Sequence, residues 1–358
     1  MYAIVMAGGS GTRFWPASRE SLPKQFLEIT GARTMFEETL ARIGSIVPDE
    51  KIYVVVNSLH SSTARRLLGR RSVKVLEEPV ARNTAPCIGL AALHIERLDP
   101  EEPIVVLPSD HFIADRNQFA RTLEAAAEVA RSGCIVTLGA APTRPETGYG
   151  YIEAGEKSGS SGDQPYCRVT RFVEKPDAAT ALNYVSSGKY LWNCGIFVFT
   201  AATILGEIRE CGTDLSSGLR AIGGAIATDN YQAELDRVYA GFDSISIDYG
   251  VMEKTTRPLF VFPAQFGWSD VGSWQAVYEL ASGVNNPHQN VAMGEATFLD
   301  SNKNLVYNKS GREIALLGVE GLVVIDTPDA LLVADINRSQ DVKQIPPLLK
   351  AGNRGKVC

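Results

Sequence analysis

From residue 2 to about 140, short runs apolar at every position alternate with longer helix-like stretches. Tyr2–Met6, Ile52–Val56, Val73–Leu76, Ile104–Leu107 and Ile135–Leu138 read as strands. Strands apolar on both faces are what a parallel sheet covered on both sides requires, so this part predicts a Rossmann-like, doubly wound α/β layer. The polar, glycine-rich stretch GEKSGSSGDQP at 155–165 reads as an exposed hairpin tip or loop. Beyond it come strand-like Arg168–Val173 and Ile196–Thr200, then helical stretches at 178–187, 201–210, 216–226 and 230–240. From about Asn290 the pattern becomes short strands separated by turn residues: NVAMGEATFLDS, NLVYNKS, IALLGV, GLVVIDT and ALLVADI. These predict a small β-roll or β-helix. The expected division is a catalytic domain over 1–285 and a β-rich domain over 286–358, with a mixed sheet in the first.

The 358 residues suffice for one large domain and a smaller companion. A net charge of −6 argues against a broad nucleic-acid or anionic-membrane surface, so any basic site must be local. The six cysteines, at 87, 134, 167, 194, 211 and 358, show no CxxC or metal-ligand spacing. That scatter predicts a reducing, cytoplasmic setting. The start MYAIVMAGG reads as a buried strand rather than a signal peptide, and no stretch reads as a membrane span.

Strand AIVMA runs straight into Gly8, Gly9, Ser10 and Gly11, putting a glycine-rich turn at the C-terminal edge of the first strand, where open α/β sheets bind ligands. Without Cβ atoms such a loop brings backbone N–H groups against phosphate oxygens, and Arg13 and Lys24 add charge-assisted bonds. GxxxxGK[ST] is absent, and Phe14 stands where a dinucleotide GxGxxG needs its last glycine. The whole segment GGSGTRFWPASRESLPKQF resembles the signature of bacterial mannose-1-phosphate guanylyltransferases, within the wider sugar nucleotidyltransferases. The resemblance implies a nucleotide-diphospho-sugar transferase fold. It further implies that Gly8, Gly9, Ser10, Gly11, Thr12 and Arg13 wrap the nucleotide phosphates, and that Lys24 contacts the reacting phosphate.

Asp110, in IVVLPSDHF, follows an apolar strand and reads equally as a helix N-cap or as an oxygen ligand for Mg²⁺, which often takes only one or two carboxylates. His111 reads as packing or as support behind a ligand. Asp270, in FGWSDVGSW, is by itself a turn residue. Both segments resemble the family's, where two aspartates hold the metal, so the resemblance implies Asp110 and Asp270 as the Mg²⁺ pair.

The segment EEPVARNTAPC, 77–87, follows a strand and enters a helix. Guanine's N1–H and N2–H₂ suit a carboxylate acceptor, and an Asn amide serves either kind of edge. Local chemistry alone instead favours Glu77 and Glu78 as a solvated pair, with Asn83 or Thr84 as a helix cap. Resemblance to the family's guanine-side motif points to Glu78, Asn83 and Thr84 as base-side residues. For the acceptor, TGYGYIE, FVEKP, LWNCGIF and SIDYGVMEK supply Gly148, Glu174, Asn193 and Asp248 for hydroxyls and close backbone approach, and Lys175 for a phosphate. All four segments resemble the family's sugar-side motifs.

The reaction so implied is GTP plus mannose 1-phosphate giving GDP-mannose and pyrophosphate. Arg13, Lys24, Asp110, Lys175 and Asp270 would carry the chemistry. The alternatives are another sugar or base on the same chemistry, or an inactive sugar-nucleotide-binding subunit. Some relatives add a cupin domain for isomerisation; the dispersed histidines 60, 94, 111 and 288 predict none here. A homodimer through the β-rich tail follows from resemblance alone.

Overall fold

The computed structural model describes residues 1–9, 11–211, 214–282 and 289–355. They form two compact units. One comprises Met1–Gly8, Leu40–Ser109 and Ile113–Trp268; the other comprises Gly9–Thr39, Asp110–Phe112 and Ser269–Cys358. The expected domain boundary at 285/286, together with Ser10, His288 and Cys358, lies outside the described residues.

The first unit is built on one nine-stranded sheet. Its strands are β1 (Tyr2–Ala7), β2 (Ile52–Asn57), β3 (Lys74–Glu78), β4 (Pro103–Pro108), β5 (Ile135–Ala140), β6 (Tyr151–Ser161), β7 (Gln164–Val173), β8 (Tyr190–Thr200) and β9 (Leu259–Pro263). The spatial order is β3-β2-β1-β4-β8-β5-β9-β7-β6. Strands β3, β2, β1 and β4 run parallel, as their uniformly apolar sequences predict. Strand β8 then inserts antiparallel between β4 and β5, which makes the sheet mixed.

Helix Thr84–Glu96 is buried on every side from Ala85 to Leu93, its sequence being apolar all round rather than amphipathic. It packs against helices Ala201–Glu210 and Leu215–Ala225. Of the two readings of 155–165, hairpin tip or loop, the structure shows the hairpin, with more of the stretch in strand than its composition suggests. Strand β6 continues to Ser161 and β7 begins at Gln164, so only Gly162 and Asp163 turn. Its polar residues pair in a largely solvent-facing ladder, and composition does not separate a polar strand from a loop.

In the second unit, strands Val291–Met293, Leu305–Asn308 and Leu322–Asp326 stack in parallel, while Thr297–Leu299 pairs in parallel with Ala315–Leu317. Two parallel stacks fed alternately by one chain make a short β-helix, closed by antiparallel Leu331–Asp335. Asn304, fully buried, holds successive coils together. Its amide donates to Asn290 Oδ1 (3.0 Å) and the Val319 carbonyl (3.0 Å), and its Oδ1 accepts from Leu322 N–H (2.8 Å). Inside lie Val291, Leu305, Tyr307, Val323 and Ile325, in one core with Phe14, Trp15, Leu27, Ile29 and Trp274. The aromatic pair of the glycine segment is therefore structural: Phe14 packs edge-on against Trp274, with ring centroids 5.0 Å apart.

Candidate active site

Within the second unit the glycine loop is folded onto Lys24. Gly11 has φ 58°, and a Cβ there would stand 2.6 Å from both the backbone nitrogen and the Cβ of Lys24, so only glycine fits. Ser18 Oγ donates to the Gly11 carbonyl (2.7 Å), and Phe14 N–H closes the turn onto the same oxygen (2.9 Å). Thr12 and Arg13 stand exposed at the tip, and Arg13 makes no ion pair among the described residues. Gly9 has φ 100°, and Gly8 follows directly on β1 in the first unit.

Lys24 itself is buried. Its ammonium donates to Asp110 Oδ2 (2.9 Å) and to the main-chain carbonyl of Asp270 (2.5 Å). Burial alone would raise the Asp110 carboxyl, but the charges of Lys24 and His111 and the hydrogen bond from Lys24 outweigh it and hold the group below the usual Asp value. Asp110 is not a helix cap: the next helix, Arg116–Ala130, is capped by Asp115, whose Oδ1 accepts from Gln118 N–H (2.9 Å). The helix-cap reading of Asp110 therefore fails. The Asp270 carboxylate lies over Gly272. The Asp110 carboxylate and the Asp270 main chain thus meet the buried cation from 86 and 246 positions away.

The donor set suits Mg²⁺, a hard cation that takes carboxylate oxygens and fills its shell with phosphate and water. Among the described residues no group of three or more His, Cys, Asp or Glu could hold a metal unaided. Asp110 and Asp270 are the carboxylates here that could hold such an ion.

In the first unit the acceptor-side residues form one hydrogen-bonded cluster. Asn193 Nδ2 donates to Asp248 Oδ1 (2.9 Å), Asn193 Oδ1 accepts from Gly195 N–H (3.1 Å), and Lys175 Nζ donates to Glu174 Oε1 (2.7 Å). Asn193 N–H donates to the Gly150 carbonyl (2.8 Å), and Lys175 N–H to the Tyr149 carbonyl (3.2 Å), tying both to the TGYG loop. A Cβ on Gly150 would collide with Glu174 Oε2. Asp248 is pushed up to about 7, first by burial and then by the Glu174 charge. Burial pulls the Lys175 ammonium down, but its bond to Glu174 and the charges of Glu174 and Asp248 leave it above the usual Lys value. Gly148 N–H donates to Glu146 Oε1 (3.1 Å).

The base-side residues divide. Glu78 is almost wholly buried at the C-terminal end of β3, and burial pushes it up to about 7 despite a short hydrogen bond from the Tyr239 hydroxyl. The expectation of a solvated glutamate pair therefore fails at Glu78. It holds better for Glu77, which is partly exposed and accepts from Ser61 Oγ (2.6 Å) and Arg65 (2.8 Å). Asn83, exposed with φ 68°, caps helix Thr84–Glu96 through its own Oδ1. Thr84 Oγ1 accepts from Ile247 N–H (2.8 Å), joining the base-side motif to the residue before Asp248.

Sequence reasoning did not single out several neighbours of these residues. Glu253 accepts from Glu174 N–H (2.8 Å), and Tyr249 OH donates to the Glu174 carbonyl (3.4 Å). Both lie inside the already singled-out SIDYGVMEK, so that segment was the available signal. Arg144 lies over Trp192 at 5.6 Å, and Trp192 meets Tyr149 edge-on. Tyr239 sits in an ordinary amphipathic helix and carries no local signal.

The nucleotidyl transferase family model matches residues 2–286, spanning all of these residues. The chain belongs to the nucleotidyl transferase family. A second model, described as a MannoseP isomerase/GMP-like beta-helix domain, matches residues 294–346. This nucleotidyl transferase is 41% identical over 361 residues to the xanthan biosynthesis protein XanB of Xanthomonas campestris pv. campestris (strain ATCC 33913), covering 99% of this chain and 74% of that one. It is 39% identical over 360 residues to a mannose-1-phosphate guanylyltransferase of Escherichia coli (strain K12), with the same coverage. A solved structure from Thermus thermophilus, described as a mannose-1-phosphate geranyltransferase, superposes with TM-score 0.88 at 37% identity, covering 98% of this chain and 99% of that one. The α/β fold with a β-helical C-terminal part, expected from the sequence, is the fold of this nucleotidyl transferase. Among the described residues no helix is long and apolar enough to cross a membrane.

Proposed function

We propose that this protein is a mannose-1-phosphate guanylyltransferase, converting GTP and α-D-mannose 1-phosphate into GDP-mannose and pyrophosphate. The observation that carries this reading is the agreement of two things. Relatives of that name match 99% of the chain. The chain also holds both chemical parts the reaction needs: a glycine turn with Lys24, Asp110 and Asp270, and a separate polar cluster with a cation, Lys175.

Sugar 1-phosphates have a second pKa near ~6, so at neutral pH the nucleophile is already largely dianionic and no general base is required. The barrier is anion meeting anion. In this proposal Gly8, Gly9, Gly11 and Thr12 present backbone N–H groups to the triphosphate, and exposed Arg13 stabilises the departing pyrophosphate. Lys24 neutralises the reacting phosphate, and Lys175 the sugar phosphate. Glu174, Asn193 and Asp248 orient sugar hydroxyls, with the backbone at Gly148 in close approach. Glu78, Asn83 and Thr84 read the base. Asp110 and Asp270 would hold Mg²⁺, which when bound supplies charge neutralisation for direct in-line displacement at the α-phosphorus. We place the enzyme in the cytoplasm, a reading supported by free thiols at Cys87, Cys134, Cys167, Cys194 and Cys211.

The test is a pyrophosphate-release screen crossing four nucleoside triphosphates with mannose, glucose and fucose 1-phosphates. The expected result is highest turnover with GTP and mannose 1-phosphate. Preference for another pair, or no release with any, would overturn the assignment.

A further inference from the structure

Tyr239, fully buried in helix Tyr231–Tyr239, lies 161 positions from Glu78 yet hydrogen-bonds directly to its Oε1. The helix end is fastened to the same motif a second time, by Arg82, whose guanidinium donates to the Ala240 carbonyl. From these contacts we infer that Tyr239 is a positioning residue for base choice, holding the Glu78 carboxyl in the orientation and form that only accepts hydrogen bonds. The inference rests on reading Glu78 as the base acceptor.

The chemistry is one of complementary edges. An ionised carboxylate offers two acceptors, matching the N1–H and N2–H₂ of guanine. A protonated carboxyl offers one donor and one acceptor, matching adenine's N1 acceptor and N6 amino donor instead. Phenol donation to one oxygen favours the ionised form and uses one lone pair of about four, leaving both oxygens able to accept from the base. The opposing pull is burial, which outweighs the phenol and leaves Glu78 at about 7, so its form near neutral pH is finely balanced and loss of the phenol would raise it further. Few other charged or titratable groups face this pair. Cys87, on helix Thr84–Glu96, is held far up by burial and by the Glu78 charge, and so stays a neutral thiol. Arg82 contributes its positive charge near Tyr239.

The test measures kcat/KM for GTP and for ATP with saturating mannose 1-phosphate from pH 6 to 9 in the full-length wild type, Tyr239→Phe and Glu78→Gln. In the wild type the GTP-to-ATP preference should fall as pH drops below about 7. Tyr239→Phe should shift that limb to higher pH and reduce the preference at pH 7 about tenfold, about 1.4 kcal/mol. Its kcat and preference at pH 9 should return towards wild type. An unchanged limb and unchanged preference in Tyr239→Phe would overturn the inference while leaving the role of Glu78 intact. Glu78→Gln should lose the preference at every pH; if it keeps it, the base-acceptor reading fails and this inference with it. Should Tyr239→Phe fail to fold, a wild-type preference that stays flat across the range is itself enough to refute.

Discussion

Replacing Lys24 by Met tests the Lys24–Asp110 pairing of the proposed phosphate half-site, because it keeps the apolar stem that runs towards the Phe14 ring (ammonium 5.7 Å from the centroid) and removes the ammonium with its bonds to Asp110 and the Asp270 carbonyl. The Lys24 side chain is 8% exposed and Asp110 28%. Breaking a fully buried ion pair by deleting one partner costs about 3–5 kcal/mol; the exposure of Asp110 lowers the expectation here to ~2–3 kcal/mol. That corresponds to a drop of ~5 °C in the unfolding midpoint at pH 7. The pH dependence fixes the sign. Asp110 is held below its ordinary value in the folded wild type, so the pair's stabilisation is present above the unfolded Asp pKa near ~3.9 and is lost as pH falls through the folded value. The gap between wild type and Lys24→Met should therefore close in acid. Adding Asp110→Asn removes the stranded charge, so the double variant should regain most of the lost stability at pH 7. Pyrophosphate release should stay at least about a hundredfold down in both, since a cation at a reacting phosphate acts on the transition state. Calorimetry at pH 7 and at about pH 2, below both the unfolded and the folded Asp values, with the release assay at pH 7, makes the measurement. A Lys24→Met protein as stable as wild type at pH 7, or a double variant no better than the single, would refute the argument.

Three further outcomes follow from the geometry. Gly150→Ala drives a methyl into Glu174 Oε2, so KM for mannose 1-phosphate should rise about tenfold with KM for GTP unchanged; equal effects on both would be contrary. Asp248, pushed up to about 7 by burial, binds its proton more tightly folded than unfolded, so its ionisation costs stability as pH rises from ~4 through 7. Asp248→Asn should accordingly raise the unfolding midpoint at pH 8 but not at pH 4, while weakening use of the sugar phosphate; a midpoint raised equally at both pH values would contradict this. Asn304→Ala removes three coil-linking bonds but leaves only Leu322 N–H without a partner, because Asn290 Oδ1 keeps the residue 304 N–H and the Val319 carbonyl keeps Asn302 N–H; it should cost ~1–3 kcal/mol by denaturant titration, whereas a loss under ~0.5 kcal/mol would argue against the coil-linking role.

The sequence by itself determined the β1 to β4 layer, because strands apolar at every position have no stable place except a sheet covered on both faces. It also marked the glycine turn, since Gly11 meets a positive φ and a backbone contact that exclude any side chain. Glu174, Lys175, Asn193 and Asp248 were legible as separate patches. Only the fold made them a hydrogen-bonded cluster, because each patch alone is consistent with a turn or a strand end.

Tertiary structure alone decided the rest. The stretch 155–165 was legible as a hairpin tip or loop, but how far its strands extend, and which strand runs against its neighbours in the expected mixed sheet, came only with the fold. That Asp110 is not a helix cap turned on where the next helix begins. Glu78 and Glu77 look alike in sequence, but alternation along β3 turns one inward to Tyr239 and leaves the other to Arg65 at the surface. Local pattern records which residues can do a given chemistry. Burial and partners drawn from distant segments set their charge state, and these exist only once the chain has folded.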